Sequence, residues 1–340
     1  MNIVRSIDIG YSYTKFTSST NSSSELSLNS VMSIAPRFIN KNNLLPGRGF
    51  DDNLFIKNNA IVDVGSNKFV VGPHAELMQR SNKAVILHKD FIGTDTYKAL
   101  MKGALYFINE PVIDMLVVGL PVAYIGSNAD KLKNMLVGNH PVNENFMVEI
   151  KDVLVVPQPQ GGYTDFAVSR NLMEEINRSI TLSLDPGMFS FDWFVSKGFN
   201  AIQDRCGSNA GGVHSILNDI IDELNADLST SINDIRYIDE CILNNDLIIS
   251  GKKYDISHYI SKAKNTIGET IGDMLSSIKD THDIRRILLF GGGSHFYEEQ
   301  IKSVFSNIET HLLKNPRFAN VRGYQIIGEQ ILELRQWKAA

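Results

Sequence analysis

Cysteine is scarce: the 340 residues hold 2, Cys206 and Cys241, in no CxxC or Cys/His spacing. That excludes a disulfide framework and a zinc site of ordinary pattern, and it fits a reducing cytoplasm. Also lacking is any stretch of about 18 apolar residues, so no membrane-spanning helix is expected. Met1 runs straight into a first strand with no apolar leader. Basic runs are missing too. Lys and Arg number 33 against 38 Asp and Glu, a formal charge of −5, which argues against a protein held on nucleic acid by phosphate contacts. The 8 histidines show no ligand spacing, and His214 and His295 read as solvated helix starts. Asn21-Ser22-Ser23 matches a glycosylation pattern by chance. What remains is an ordinary globular composition, 43% apolar and 21% charged, long enough for two domains.

Against that plain background one stretch stands out, Leu184-Asp185-Pro186-Gly187-Met188-Phe189-Ser190-Phe191-Asp192. An apolar strand over 180–184 ends in a carboxylate, and a second strand follows. Between them Pro186 pre-sets φ and Gly187 is free to take φ > 0. Successive backbone N–H groups in such a turn form an anion nest. A carboxylate beside a phosphate requires a divalent cation between them, so the turn points to a metal–nucleotide complex. The same grammar occurs at the N-terminus, where a strand ends in Asp8 and is followed by Gly10, Tyr11, Ser12, Tyr13, Thr14 and Lys15. Two Asp-Gly hairpins in one chain suggest two phosphate clips facing each other across a cleft. A third element is a buried strand over 286–290 followed by Gly291, Gly292, Gly293 and Ser294, where a helix starts. Three glycines allow backbone to pass close to a ligand, as the floor of an adenosine site would require.

In this order and spacing the three motifs resemble the phosphate 1, phosphate 2 and adenosine motifs of the actin, sugar-kinase and heat-shock-chaperone superfamily. Within it the chain is most similar to the bacterial and archaeal actin-like proteins of plasmid segregation, the ParM/StbA group. The segment from Ile202 to Gly212 resembles that group's R-S-G-x-x-x-G-G stretch, with Cys206 where Ser is commoner. Pro316 to Tyr324 resembles its A-N-x-x-G stretch. Ser190 stands where the superfamily usually has Thr, and the hydroxyl is kept.

The resemblance implies an α/β actin-like fold of two duplicated β-β-β-α-β-α domains with small inserted subdomains around a nucleotide cleft. Domain I is expected over 1–165 with an insertion at about 31–92 as subdomain IB. Domain II follows over 166–323 with an insertion at about 225–257 as subdomain IIB, and a C-terminal helix over 324–340 packs back on domain I. Turns are expected at Pro46-Gly47 and Gly72-Pro73, short strands at 54–56, 61–64 and 68–71, and helices over 95–109, 128–137 and 162–179. A third domain II strand is expected over 200–205. Helices over 212–228, 256–278 (interrupted at Gly268 and Gly272), 295–306 and 324–337 complete the pattern.

At the cleft, Asp8 is expected to hold Mg²⁺ through its waters, since Mg²⁺ keeps several, with Asp185 as a second metal partner or water-orienting group. Gly10, Ser12, Gly187 and Ser190 would donate to the β- and γ-phosphates, with Tyr11, Tyr13, Pro186 and Met188 completing the turns. Lys15 matches the family's phosphate lysine. The resemblance also implies a Gln or Glu after the strand over 153–156 that polarises the attacking water. Gln158 matches best and Gln160 is the alternative. Gly211, Gly212, Gly291, Gly292, Gly293 and Ser294 would surround the adenosine. Arg205 is either a weaker adenine contact or a buried structural arginine, and Asp192 either supports the clip or is a plain strand residue. The implied function is a filament-forming ATPase, with GTP also open, that segregates plasmid or similar DNA. Its partners would be copies of itself and a centromere-binding adaptor, so that it meets DNA only indirectly. A small-molecule kinase is the alternative, but it lacks a clear G-x-D-x-G sugar segment here. A non-polymerising chaperone or regulatory ATPase is the further alternative, ranked lower because no extra substrate domain is expected.

Overall fold

The computed structural model describes residues 2–20, 23–38, 58–78 and 91–339. The Pro46-Gly47 turn, the strand expected at 54–56 and the residues Asn21 and Ser22 lie outside the described residues. The chain divides into two compact units, residues 1–171 with 318–340, and residues 172–317.

The first unit is built on a five-stranded sheet of order β10-β7-β1-β2-β3. Strands β1 (Val4–Ile9), β2 (Tyr13–Thr20) and β3 (Ser23–Met32) form an antiparallel meander. Strands β7 (Met115–Leu120) and β10 (Val153–Pro157) add parallel to β1's other side. The short pair β4 (Ala60–Val64) and β5 (Asn67–Val71) is separate. So are β6 (Val112–Ile113), β8 (Gly138–Asn143) and β9 (Phe146–Ile150), a small sheet that sequence reasoning did not foresee.

Side chains alternate across a strand, and the central sheet uses both faces. Ile7, Phe16, Leu116 and Val118 pack under helices α1 (Asp95–Ile108) and α2 (Ile125–Leu136). On the opposite face Val4, Met115, Val117 and Val156 form a core with Tyr324. That face is covered by α3 (Gln158–Ser169) and, further along the chain, the C-terminal helix over Ala319–Ala339. It is also polar. Ser6 donates to the Val321 carbonyl at 2.8 Å, and the Gln325 amide donates to the Val4 carbonyl at 3.0 Å while accepting from Thr17 at 2.8 Å. These buried polar groups are mutually satisfied, so they fix the register of the C-terminal helix on the sheet.

The second unit repeats the plan after a short helix, α4 (Met173–Asn177). Strand β11 (Ile180–Pro186) pairs antiparallel with β12 (Phe191–Lys197) and parallel with β17 (Ile284–Leu289), which pairs with β18 (Glu309–Leu312). Leu182, Leu184, Trp193 and Val195 face a core shared with α5 (Val213–Leu228), α8 (Lys264–Ile278) and α9 (Ser294–Val304). Helix α6 (Ile235–Asn244) and the hairpin β15 (Leu247–Ile249) with β16 (Lys252–Tyr254) precede α7 (Ile256–Lys262).

Several expected boundaries move. The helix expected over 162–179 begins at Gln158 and stops at Ser169, because Pro159 is welcome in a first turn. The third strand expected over 200–205 is two pieces, β13 (Asn200–Ala201) and β14 (Gly207–Asn209), pairing with opposite ends of β12. Arg205 pulls the chain off the sheet between them, bound to Asp283 and to the carbonyl of Ile278. The helix over 256–278 breaks at Ala263 and runs through Gly268 and Gly272. A helix interior tolerates glycine at about 1 kcal/mol, whereas the bend at Ala263 lets Tyr259 and Ile267 enter one core. The last helix, α10 (Ala319–Ala339), starts five residues before the expected 324.

Candidate functional site

The first clip is the β1–β2 turn. The Gly10 N–H donates to the Tyr13 carbonyl at 3.1 Å, and the turn is stitched to the end of β3. Ser33 Oγ donates to the Gly10 carbonyl at 2.5 Å and lies 2.9 Å from Thr14 Oγ1, while the Ser33 N–H donates to the Ser12 carbonyl at 2.9 Å. Asp8 and Lys15 are cross-strand partners, so their side chains share a face. Lys15 Nζ lies 2.8 Å from Asp8 Oδ2. An ammonium carries three donors, so this pairing leaves capacity for an anion.

Gln158, the first residue of α3, sends its amide Nε2 to Asp8 Oδ1 at 2.9 Å. Asp8 is 1% exposed and receives both groups. The structure thus brings together three expected site residues from separate stretches. Of the two candidate glutamines, Gln158 is the one whose side chain is bonded to Asp8. Tyr11 packs on Phe91 with ring centroids 5.4 Å apart, and Phe91 meets Tyr97 edge-on. Burial, reinforced by the Asp8 carboxylate and Tyr11, pushes the Tyr97 phenol far above its ordinary range. Tyr97 and Ser33 are site neighbours that sequence reasoning missed, because neither stands in a motif.

The second clip is the β11–β12 turn, where the Gly187 N–H donates to the Ser190 carbonyl at 2.8 Å. Ser190 Oγ donates to Asp192 Oδ2 at 2.7 Å, which places Asp192, 1% exposed, in support of the turn. The start of α5 grips the same turn: the Val213 N–H donates to the Gly187 carbonyl at 3.0 Å and the His214 N–H to the Met188 carbonyl at 2.7 Å. His214, read as solvated, instead stacks on Phe189 at 4.4 Å. A Cβ on Gly212 would lie 2.5 Å from the Met188 carbonyl oxygen, so only glycine fits.

The glycine loop joins this corner. Gly291 has φ +88°, and a Cβ there would stand 2.1 Å from Asp185 Oδ1. The Gly293 N–H donates to the Pro186 carbonyl at 2.9 Å, and its Cβ would strike Val213. Gly292 has open space around it, and Ser294, which opens α9, is buried. The Gly211 carbonyl accepts from Tyr297 Oη at 2.5 Å and Thr270 Oγ1 at 3.4 Å. Burial pushes the Tyr297 phenol up to about 12. Asp185, Pro186, Gly187, Met188, Gly212 and Gly291–293 therefore form one cluster within the second unit. Arg205 is elsewhere: its guanidinium holds Asp283 at 2.8 and 2.9 Å, a structural anchor rather than an adenine contact.

Among the described residues no group of three or more His, Cys, Asp or Glu could hold a metal ion. Mg²⁺ bound through one or two carboxylates, waters and substrate phosphates does not need such a group. The buried Asp8 carboxylate, with acceptor positions beyond those used by Lys15 and Gln158, is chemically suited to it. Among the described residues no helix is long and apolar enough to cross a membrane.

Comparison with known proteins gives a consistent picture. Residues 6–161 match the family model described as the N-terminal domain of actin like proteins. Residues 183–303 match that of the archaeal actin homologue MreB-like C-terminal domain. No curated protein matches the sequence significantly. Among solved structures the chain is similar to the actin-like protein Alp7A, at 15% identity over 100% of both chains with a TM-score of 0.75. A 15-stranded ParM filament from Clostridium botulinum shares 19% identity over 97% of this chain and 100% of that one, TM-score 0.71. An archaeal actin homologue in complex with ADP shares 15% identity over 96% and 99%, TM-score 0.74. The fold is the actin-like fold.

Proposed function

We propose that this chain, which has the actin-like fold, binds ATP or GTP with Mg²⁺, hydrolyses it, and couples turnover to self-assembly into filaments. The filament would segregate plasmid or similar DNA in the cytoplasm through a centromere-binding adaptor. The observation that carries the enzymatic part is the convergence of Lys15 and Gln158 on Asp8. The domain division is part of the proposal, with the bounds of the two compact units: 1–171 joined by the returning helix Ala319–Ala339, and 172–317.

Hydrolysis asks little covalent work of a protein; it needs held phosphates, neutralised charge and an aimed water. When bound, Mg²⁺ supplies the charge neutralisation, and Asp8 and Asp185 are the carboxylates that would hold it. Gly10, Ser12, Gly187 and Ser190, with the Tyr11, Tyr13, Pro186 and Met188 backbone, form the phosphate-binding turns; the Gly10 and Gly187 N–H groups and Ser190 Oγ, expected as phosphate donors, are used to close and brace those turns, and Lys15 adds a positive charge. The Gln158 amide nitrogen is committed to Asp8, so its carbonyl oxygen is the acceptor offered to a water. Gly211, Gly212, Gly291, Gly292, Gly293 and Ser294 admit the nucleoside. The solved relatives give support of a coarser kind: an archaeal actin homologue is in complex with ADP and a ParM forms a filament.

The test is phosphate release beside nucleotide binding. Gln158→Ala should bind a fluorescent ATP analogue normally and lose roughly 10²–10³ in turnover, the usual loss for one preorganised polar group. Asp185→Ala should lose turnover to a similar extent, and Asp8→Ala should also weaken binding when magnesium is present. Wild-type turnover in all three variants would refute the assignment.

A further inference from the structure

We infer that Tyr324, on the C-terminal helix, is a positioning residue that sets the aim of Gln158; the inference rests on the reading of Gln158 as the water-orienting group. Tyr324 is fully buried in the small core on the α3/α10 face of the first sheet. Its hydroxyl donates to the main-chain carbonyl of Gln158 at 3.3 Å. Gln158 is the first helical residue after β10, where the chain leaves the sheet and its carbonyl is set by the turn it enters.

Gly119 closes the arrangement. It lies on β7, opposite Val156 of β10. A Cβ at Gly119 would stand 2.0 Å from Tyr324 Oη and 3.0 Å from Gln158 Cγ. Tyr324 and the Gln158 stem thus fill the space that the missing side chain leaves, and each blocks the other's retreat. The far end of the same glutamine is the amide bound to Asp8 at 2.9 Å. Two more contacts hold the helix that carries Tyr324. Asn320 Oδ1 accepts from the Gly162 N–H at 3.0 Å, and Arg322 forks onto Asp165 at 2.9 and 2.6 Å. The first two turns of α10 therefore hold the first two turns of α3, and Tyr324 is the member of that contact touching the residue aimed at Asp8.

Tyr324→Phe in the full-length chain deletes one hydroxyl and keeps the ring. One lost hydrogen bond of ordinary strength should lower kcat for nucleotide hydrolysis by about three- to tenfold. KM should stay within about twofold, because no phosphate contact is touched. In the nucleotide-free protein the Gln158 side-chain amide resonances, assigned by their loss in Gln158→Ala, should shift. Gly119→Ala should reproduce the kcat loss by displacing the phenol. Adding Tyr324→Phe to Gln158→Ala should cost nothing further, as expected for residues acting through one group. Wild-type kcat and unshifted resonances in Tyr324→Phe, while Gln158→Ala has lost turnover, overturn the positioning role alone. Normal turnover in Gln158→Ala overturns the reading of Gln158 itself, and the positioning role with it.

Discussion

A buried carboxylate is stable only where partners replace its water. Asp8 has a lysine and a glutamine amide; Asp239 on α6 is the contrasting case. Burial pushes its carboxyl up to about 6, Glu240 adds to the effect, and the Arg317 charge opposes it. The unfolded chain titrates near 3.8. Below that value both states hold the proton and Asp239 costs nothing. As pH rises from about 4 to 6 the unfolded chain ionises first, so the folded state loses stability, by at most about 3 kcal/mol for a two-unit shift. Above about 6 the cost is constant. Asp239→Asn should therefore gain on wild type in urea denaturation between pH 4 and 7. A pH-independent difference would contradict it. Neither the strain at Asp239 nor the contacts of Tyr97 was legible in the sequence, since both depend on burial. Asp8 could be picked out from its Asp-Gly hairpin, and Lys15 and Gln158 from the family resemblance. The structure adds that the lysine and the glutamine meet on one carboxylate.

At the scale of elements, the crossing of α3 and α10 is set by glycine. A Cβ on Gly323 would fall 1.8 Å from the Gly161 carbonyl oxygen, and a Cβ on Gly161 would fall 2.4 Å from that of Asn320. The obstacles are backbone, so relief requires the helices to part. Gly323→Ala should destabilise by about 3 kcal/mol, the upper range for overpacking. Gly272→Ala, in α8 with nothing within 4 Å of its Cβ, should instead stabilise by about 1 kcal/mol through helix propensity. Thermal melts of the pair give opposite shifts if the crossing is as tight as described. Equal shifts would show that helix propensity, not contact, decides both. The same elements show what sequence could and could not convey. Helices α1, α5 and the buried strand β7 carry clear apolar periodicity and were legible within a few residues. The hairpin β8–β9 was not: exposure alternates along both strands, but the inward positions Gly138 and His140 are not apolar and the outward Met147 is, so the residue types hide the alternation. The start of α10 was obscured by the irregular stretch over 316–318.

For the whole molecule, the consequence of the proposed function is an assembly that its own chemistry limits. Each copy carries a formal charge of −5, so association must come from a specific contact rather than from bulk attraction. A head-to-tail contact uses two different surfaces of each copy. It closes into a ring only when the rotation permits, and otherwise extends as an open filament. Inverting a 1:99 population takes roughly 5.5 kcal/mol of difference in affinity between the two states, so of the about 8 kcal/mol of micromolar binding most must be made only in the assembling state. A triphosphate can therefore bias the chain toward an assembling state, and loss of the γ-phosphate contacts can withdraw the bias. Light scattering with ATP and magnesium should show assembly above a critical concentration, then decay as ADP accumulates. With a non-hydrolysable analogue, or with Gln158→Ala and ATP, the plateau should persist, because binding is kept and turnover is not. Electron microscopy at the plateau should show filaments. Sedimentation as a monomer at every concentration with ATP and with GTP would sink the assembly proposal, and phosphate transfer to a small metabolite under those conditions would identify a kinase instead.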